Sequence, residues 1–245
     1  MTPEELRGAL ADLGFDIVSP LPADVYDACV PAAWRAEAYH PGSRSVAVVA
    51  HSGRHFWRAF KRSPEASLAT DPVDTYARRA LEGWARSLRP EARIALYTDR
   101  LEGQYLPLGS LAEQAGLGAP SRLGLLLHPT LGPWWSLRAA AFLPHAFERP
   151  GPRLSSPCVG CDAPCAARCH GRAVGESSVD LDRCLATRLT LPACHDRCDA
   201  RLACVVGREH VFEPEQLVHH SRLQWTEELR AQARRGSATT PRERD

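Results

Sequence analysis

The chain has 245 residues, 44% of them hydrophobic, enough to bury one large domain or one domain with a small appendage. Its 30 basic residues against 29 acidic ones give a formal net charge of +1, which calls for neither nucleic acid nor an anionic membrane as partner. No apolar run reaches the ~18 residues that cross a bilayer, and residues 1–7 carry no basic or apolar signal region, so a cytosolic, membrane-free protein is expected.

Leu6, Leu10 and Leu13 fall on one face of a helix predicted over residues 4–13 and stopped by Gly14. Residues 15–18 follow as a short strand. The β-branched run at 45–50, after a Pro-Gly turn, is expected to be a buried central strand, with His51-Ser52-Gly53 as a strand-to-helix loop. Asp71 at the cap and Pro72 in the first turn open a helix that carries Tyr76, Ala80, Leu81 and Trp84 toward Pro90. Residues 92–97 supply another strand, and 110–115 a short helix ended by Gly116. Residues 123–127 and 134–143 are expected to form a β-hairpin about 128–132. The sum is a mixed α+β layer fold.

At residues 148–152 the composition turns to Pro and Gly, which marks a boundary near 150. The expected organisation is a domain over 1–150, a small domain over 151–215, and a C-terminal helix with a disordered tail over 216–245. An Arg-rich stretch at 230–235 is expected to be a solvated terminus.

Eight of the nine cysteines lie between Cys158 and Cys204, in the order C-x2-C-x3-C-x3-C-x14-C-x9-C-x3-C-x5-C. In a reducing compartment such a cluster points to metal ligation or redox chemistry. Two [4Fe–4S] clusters need eight thiolates, and in two-cluster ferredoxins the fourth cysteine of a run serves the other cluster. That rule assigns Cys158, Cys161, Cys165 and Cys204 to one site and Cys169, Cys184, Cys194 and Cys198 to the other, with no cysteine of the region left over. The second gap is one residue longer than in the bacterial pattern, and His170 stands where that pattern has proline. Two all-cysteine zinc sites are the alternative. His170 and His195 are expected to be solvated or to support ligands, and Cys29 to be a small buried hydrophobe. Residues 155–212 hold few large apolar side chains, so metal would form their core.

Ala115-Gly116-Leu117-Gly118, then Leu125-Leu126-Leu127-His128-Pro129-Thr130-Leu131-Gly132-Pro133-Trp134, then the cysteine region, resemble epoxyqueuosine reductase over about residues 110–206. Gly14-Phe15-Asp16-Ile17, Thr70-Asp71-Pro72-Val73-Asp74 and the segment from His128-Pro129 to Trp134 resemble the cobalamin-processing CblC proteins over about residues 10–145. The resemblance implies a nitroreductase-like, corrinoid-binding α+β domain followed by a small bacterial-ferredoxin-like domain with two [4Fe–4S] clusters. It implies cobalamin as cofactor, with flavin as the rival occupant of such a fold.

The implied activity is that of a reductase passing electrons from the clusters to a bound corrinoid, for reductive removal of its upper axial ligand. Reduction of an organic or tRNA-linked substrate, or non-catalytic corrinoid chaperoning, are the alternatives. Implied partners are a small-molecule corrinoid and an external low-potential electron donor; tRNA enters only with the reductase-like alternative. The acidic proton donor of the reductases corresponds most nearly to Glu102. A corrinoid pocket would be roomy and lined by aromatic and small residues, for which Tyr105, Gly116, Gly118, Gly132, Trp134 and Trp135 are the candidates, with His128 at the corrin edge. Read without the resemblance, the two tryptophans are core aromatics. Arg44, Arg54, Arg58, Arg122 and Arg138 could meet a ligand phosphate or lie solvated.

Overall fold

A computed structural model describes residues 2–148 and 151–222. Its helices are α1 (Pro3–Ala11), α2 (Ala23–Asp27), α3 (Ala36–Tyr39), α4 (Gly53–Lys61), α5 (Pro72–Ser87), α6 (Leu108–Gln114), α7 (Pro164–Ala167), α8 (Leu181–Thr190), α9 (Asp199–Leu202) and α10 (Pro214–His220). Its strands are β1 (Ile17–Pro22), β2 (Ser45–Ser52), β3 (Arg93–Leu96), β4 (Arg100–Leu101), β5 (Gln104–Tyr105), β6 (Ala119–Pro120), β7 (Leu126–Leu127) and β8 (Trp135–Leu143). The Arg-rich stretch at 230–235 lies outside the described residues. None of the described helices is long and apolar enough to cross a membrane.

An antiparallel sheet of order β1-β2-β8-β3 organises the larger part of the chain. Alternation along β2 sends Ala47 and Val49 to one face and Val46, Val48 and Ala50 to the other, and both faces are covered. The first face packs on α1, α4 and α5 through Leu6, Leu10, Phe56, Phe60, Tyr76, Leu81 and Trp84. The second packs on α2, α3 and α6 through Tyr26, Ala36, Leu111 and Ala112, with Trp34 and Phe142 between them. Double coverage is why residues 45–50 read as one uninterrupted apolar run. The edge position of β1 is why it accommodates Pro20 and Pro22, whose missing N–H groups an inner strand would need.

The expected helices and strands of this part are present, with three corrections. The predicted hairpin of 123–127 with 134–143 does not form: β7 pairs with β6, while β8 is inserted between β2 and β3. No loop separates β2 from the next helix, because the strand runs to Ser52 and α4 begins at Gly53. Asp71 does precede α5, but it sits in the left-handed region at φ 43° and makes no side-chain cap.

Residues 155–207 bury few apolar side chains, namely Cys165, Ala173, Leu185, Ala200 and Cys204. Residues 211–216, which follow this segment, pack against α4. Gln216 Nε2 donates to Gly53 O at 3.0 Å, Arg54 Nε to Val211 O at 2.7 Å, and Lys61 pairs with Glu215 at 3.0 Å. Phe212, 3% exposed, lies so close over Gly53 that a β-carbon there would sit 1.8 Å from its ring.

Candidate functional site

The cysteine-rich segment surrounds two separate cavities. Cys158, Cys161, Cys165 and Cys204 line the first, and Cys169, Cys184, Cys194 and Cys198 line the second. This is the partition that the interleaved spacing predicts. Short helices bring it about: α7 carries Cys165 and α8 carries Cys184, while α9 separates Cys198 from Cys204 so that each turns to its own cavity. Ala163, in the left-handed region at φ 53°, makes the turn into α7.

Electrostatics within each quartet agrees with the grouping. Burial pushes the thiols of Cys165, Cys184, Cys194 and Cys204 up, and neighbouring thiolates push further: Cys158 and Cys204 act on Cys165, Cys158 and Cys161 on Cys204, and Cys198 and Cys169 on Cys184. Thiols grouped in this way disfavour one another's ionisation. Among the described residues, no three His, Cys, Asp or Glu side chains are drawn together around a single ion position.

The two cavities differ in their surroundings. The first is also walled by Ser121, Arg122, Leu123 and Leu127, whereas the described residues that wall the second all lie between Arg168 and Ala200. His170 and Asp199 both line the second cavity, and His170 Nε2 bonds to Asp199 Oδ2 at 2.9 Å. Asp199 also accepts from Arg197 at 2.9 Å, and its carboxyl is held below the usual range by the His170 and Arg197 bonds. Cys29 packs against the second core with its thiol on Val25 O, apart from both quartets.

The seam between the two parts of the chain is built on the segment His128 to Trp134. Gly132, at φ 57°, lies where a β-carbon would fall 2.1 Å from Val206 O, and Gly207, at φ 69°, where one would fall 2.3 Å from Leu131. Each glycine lets the opposing backbone approach. Trp134 is 1% exposed, edge-on to Phe212 at 5.3 Å. Ser156 Oγ donates to Pro120 O at 2.7 Å, and Gly116 abuts Pro152.

The other residues singled out from sequence divide into two places. Trp135, Gly118 and His128 form one group: Trp135 Nε1 donates to Leu126 O at 2.8 Å, its ring lies 5.5 Å from that of His128, and a β-carbon on Gly118 would sit 3.0 Å from its indole. His128 Nδ1 accepts from the backbone N–H groups of Thr130 and Leu131, both at 3.3 Å, which leaves the ring proton on Nε2. Burial lowers the basicity of this imidazole. Glu102 and Tyr105 stand apart on the exposed β4–β5 hairpin, Glu102 at φ 50° in its turn and Tyr105 bonded to Arg100.

Sequence reasoning missed a polar network anchored on a buried arginine and histidine. Arg138, placed among possible surface phosphate contacts, is instead 6% exposed on β8, where Nη1 pairs with Asp74 at 3.2 Å and Nε donates to His51 Nε2 at 3.0 Å. Tyr97 completes it with a 2.7 Å bond to Asp74. The Asp74 of Thr70-Asp71-Pro72-Val73-Asp74 thus has a structural partner across the sheet, and the signal that could have found it is a lone arginine inside the apolar run 137–143.

No family model matches this chain, nor does any curated protein sequence. Among solved structures, it is similar to an epoxyqueuosine reductase bound to an epoxyqueuosine-modified tRNA stem loop, at TM-score 0.57 and 16% identity over 87% of this chain and 68% of that one. The reductase from Bacillus subtilis aligns at TM-score 0.55 and 16% identity, over 86% of this chain and 66% of that one. The B12-trafficking protein CblC from C. elegans aligns at TM-score 0.55 and 13% identity, over 89% and 91%. The chain spans about two thirds of the length of the reductases and nearly all of CblC. It therefore shares the mixed α/β fold common to epoxyqueuosine reductase and CblC.

Proposed function

We propose that this chain is an iron–sulfur, corrinoid-binding reductase whose cysteine-rich segment, residues 151–215, delivers electrons to a corrinoid held by residues 1–150. The observation that carries the reading is the sorting of all eight clustered cysteines into two cavities of four, one of them walled by the sheet domain. Cys158, Cys161, Cys165 and Cys204 would hold one [4Fe–4S] cluster and Cys169, Cys184, Cys194 and Cys198 the other. When bound, such clusters supply one-electron carriers and a corrinoid supplies a cobalt centre able to accept those electrons.

The linings of the two cavities support one direction of flow. The second quartet is walled only by its own segment and is the point of entry from an external low-potential donor; the first, against Ser121 to Leu123 and Leu127, is the point of exit. The close backbone approach at Gly132 and Gly207 supports a short path between the two parts. His128, with its proton on Nε2, is placed beside Trp135 and Gly118 to donate to an amide at the corrin edge. The likeness of fold to both CblC and epoxyqueuosine reductase supports a corrinoid in preference to a flavin. Reductive removal of the upper axial ligand is the favoured reaction, because this chain covers nearly the whole of CblC. Reduction of an organic or tRNA-linked substrate is the second reading, favoured by the similar fold of the tRNA-bound reductase.

Titration of cobalamin, and in parallel of FMN, into anaerobically purified protein tests the proposal. A shift in the cobalamin spectrum, followed by loss of cyanide from cyanocobalamin when a low-potential donor is added, is expected. Binding without ligand loss would make the protein a corrinoid chaperone, and a response to FMN alone would replace the corrinoid.

A further inference from the structure

Arg122 sits at the second position of a β-turn in the loop, residues 121–125, that joins β6 to β7. Gly124 N donates to Ser121 O at 3.0 Å to close the turn, while Ser121 Oγ accepts from Leu123 N at 3.3 Å and donates to Leu125 O at 2.7 Å. The loop meets the cysteine-rich segment at two points. Ser156 Oγ donates to Pro120 O at 2.7 Å and accepts from Cys158 N at 3.3 Å, and a β-carbon on Gly124 would sit 2.5 Å from Val179. A loop tied in this way fixes the backbone that carries Arg122.

Arg122 thereby walls the cavity of Cys158, Cys161, Cys165 and Cys204, and among the described residues of that wall it is the only charged one. Its Nε is screened from water and makes no hydrogen bond, and no carboxylate of a described residue pairs with it. Such an N–H is costly to bury unless an anion faces it. A cubane held by four thiolates is anionic, and one added electron leaves its bonds in place and raises its negative charge. The second cavity is different, since Arg168, Arg188 and Arg197 all wall it and no single charge dominates. Arg208 approaches the first quartet from solvent: it is exposed, donates from Nε to Cys204 O at 3.5 Å and does not wall the cavity.

We propose that Arg122 is the fixed cation of the first quartet, and that its charge sets how readily the cluster of Cys158, Cys161, Cys165 and Cys204 accepts an electron. The inference rests on the iron–sulfur reading above. A positive charge held at the wall of a site poor in water favours the more negative, reduced state. Because the loop belongs to β6 and β7, the larger domain itself tunes the cluster from which it is supplied.

The test is a dithionite redox titration of the anaerobic, cluster-loaded protein followed by electron paramagnetic resonance, with iron and sulfide counted in every sample. In Arg122→Met one of the two one-electron couples is expected to move, its ratio of reduced to oxidised cluster falling about tenfold at a fixed potential, while the other stays within about twofold. Arg122→Lys restores most of the loss. Arg208→Met removes an equal charge from an exposed site, and water screening should keep its effect below about threefold. With full iron, an unmoved pair of couples in Arg122→Met, or an equal fall in Arg122→Lys or in Arg208→Met, would overturn the proposal. If Arg122→Met does not keep its iron, Arg122→Gln takes the same test. Loss of iron from both neutral variants while Arg122→Lys stays loaded supports the cation; loss from all three overturns it. Absence of inorganic sulfide from the parent protein would overturn the iron–sulfur reading itself, whereas full sulfide with unmoved couples overturns the role of Arg122 alone.

Discussion

Gly132 and Gly207 show what a single absent side chain does in this molecule. Each has positive φ and each would drive a β-carbon into the other's backbone segment. Gly132→Ala is therefore expected to cost about 2 kcal/mol or more, from left-handed strain and the clash with Val206 O together. Thermal unfolding of the anaerobic protein would show it as a lowered Tm, and an unchanged Tm would contradict the seam described above. From sequence, Gly132 was a candidate for lining a corrinoid pocket, and nothing signalled what closes against it. Its partner is Val206–Gly207, far along the chain, and periodicity carries no information about such a contact. Arg138 was misread for the same reason: its partners Asp74 and His51 come from two other elements.

At the scale of elements, the spacing of the cysteines carries the central expectation. The fourth-cysteine crossover placed Cys204 with Cys158 and Cys169 with Cys184, and the two cavities group them in that way. Cys204→Ser is accordingly expected to abolish the same spectroscopic cluster as Cys158→Ser and to leave the one lost in Cys184→Ser. Loss of one cluster in common from Cys204→Ser and Cys198→Ser would contradict the grouping. The buried strand β2 and the amphipathic helix α5 were legible because burial on two faces, or on one stripe, leaves a run or a period in the sequence. The pairing of β8 was not, since insertion between β2 and β3 is a long-range choice that adjacency in sequence misrepresents. Nor was the return of the C-terminal segment, where one aromatic ring closes the contact. Phe212→Ala should cost about 3–5 kcal/mol by emptying the space between Gly53 and Trp134, read as a drop in urea midpoint.

The molecule as a whole buries three neutral histidines around that contact. His219, 7% exposed against Trp57 and Phe60, has its pKa pushed down from 6.5 to about 4 by burial, with Arg222 and Arg138 adding to the shift. His51 and His220 are lowered in the same direction, again chiefly by burial. Between the two values of His219 the unfolded chain binds a proton that the folded chain does not. Its contribution is thus fully present above pH 6.5 and is lost progressively as pH falls toward 4. Urea unfolding at pH 7 and pH 5 should show a loss of stability in the parent that is smaller by about 2 kcal/mol in His219→Gln, where the part due to His51 and His220 remains. Equal losses in both would place the pH sensitivity elsewhere.

Everything in the functional account depends on what the two quartets hold, so the most direct measurement is the iron, inorganic sulfide and zinc content of protein purified without oxygen. About eight iron and about eight sulfide per chain, without zinc, is the expected result for two [4Fe–4S] clusters. Zinc without sulfide would contradict it and make the cysteine-rich segment a structural element.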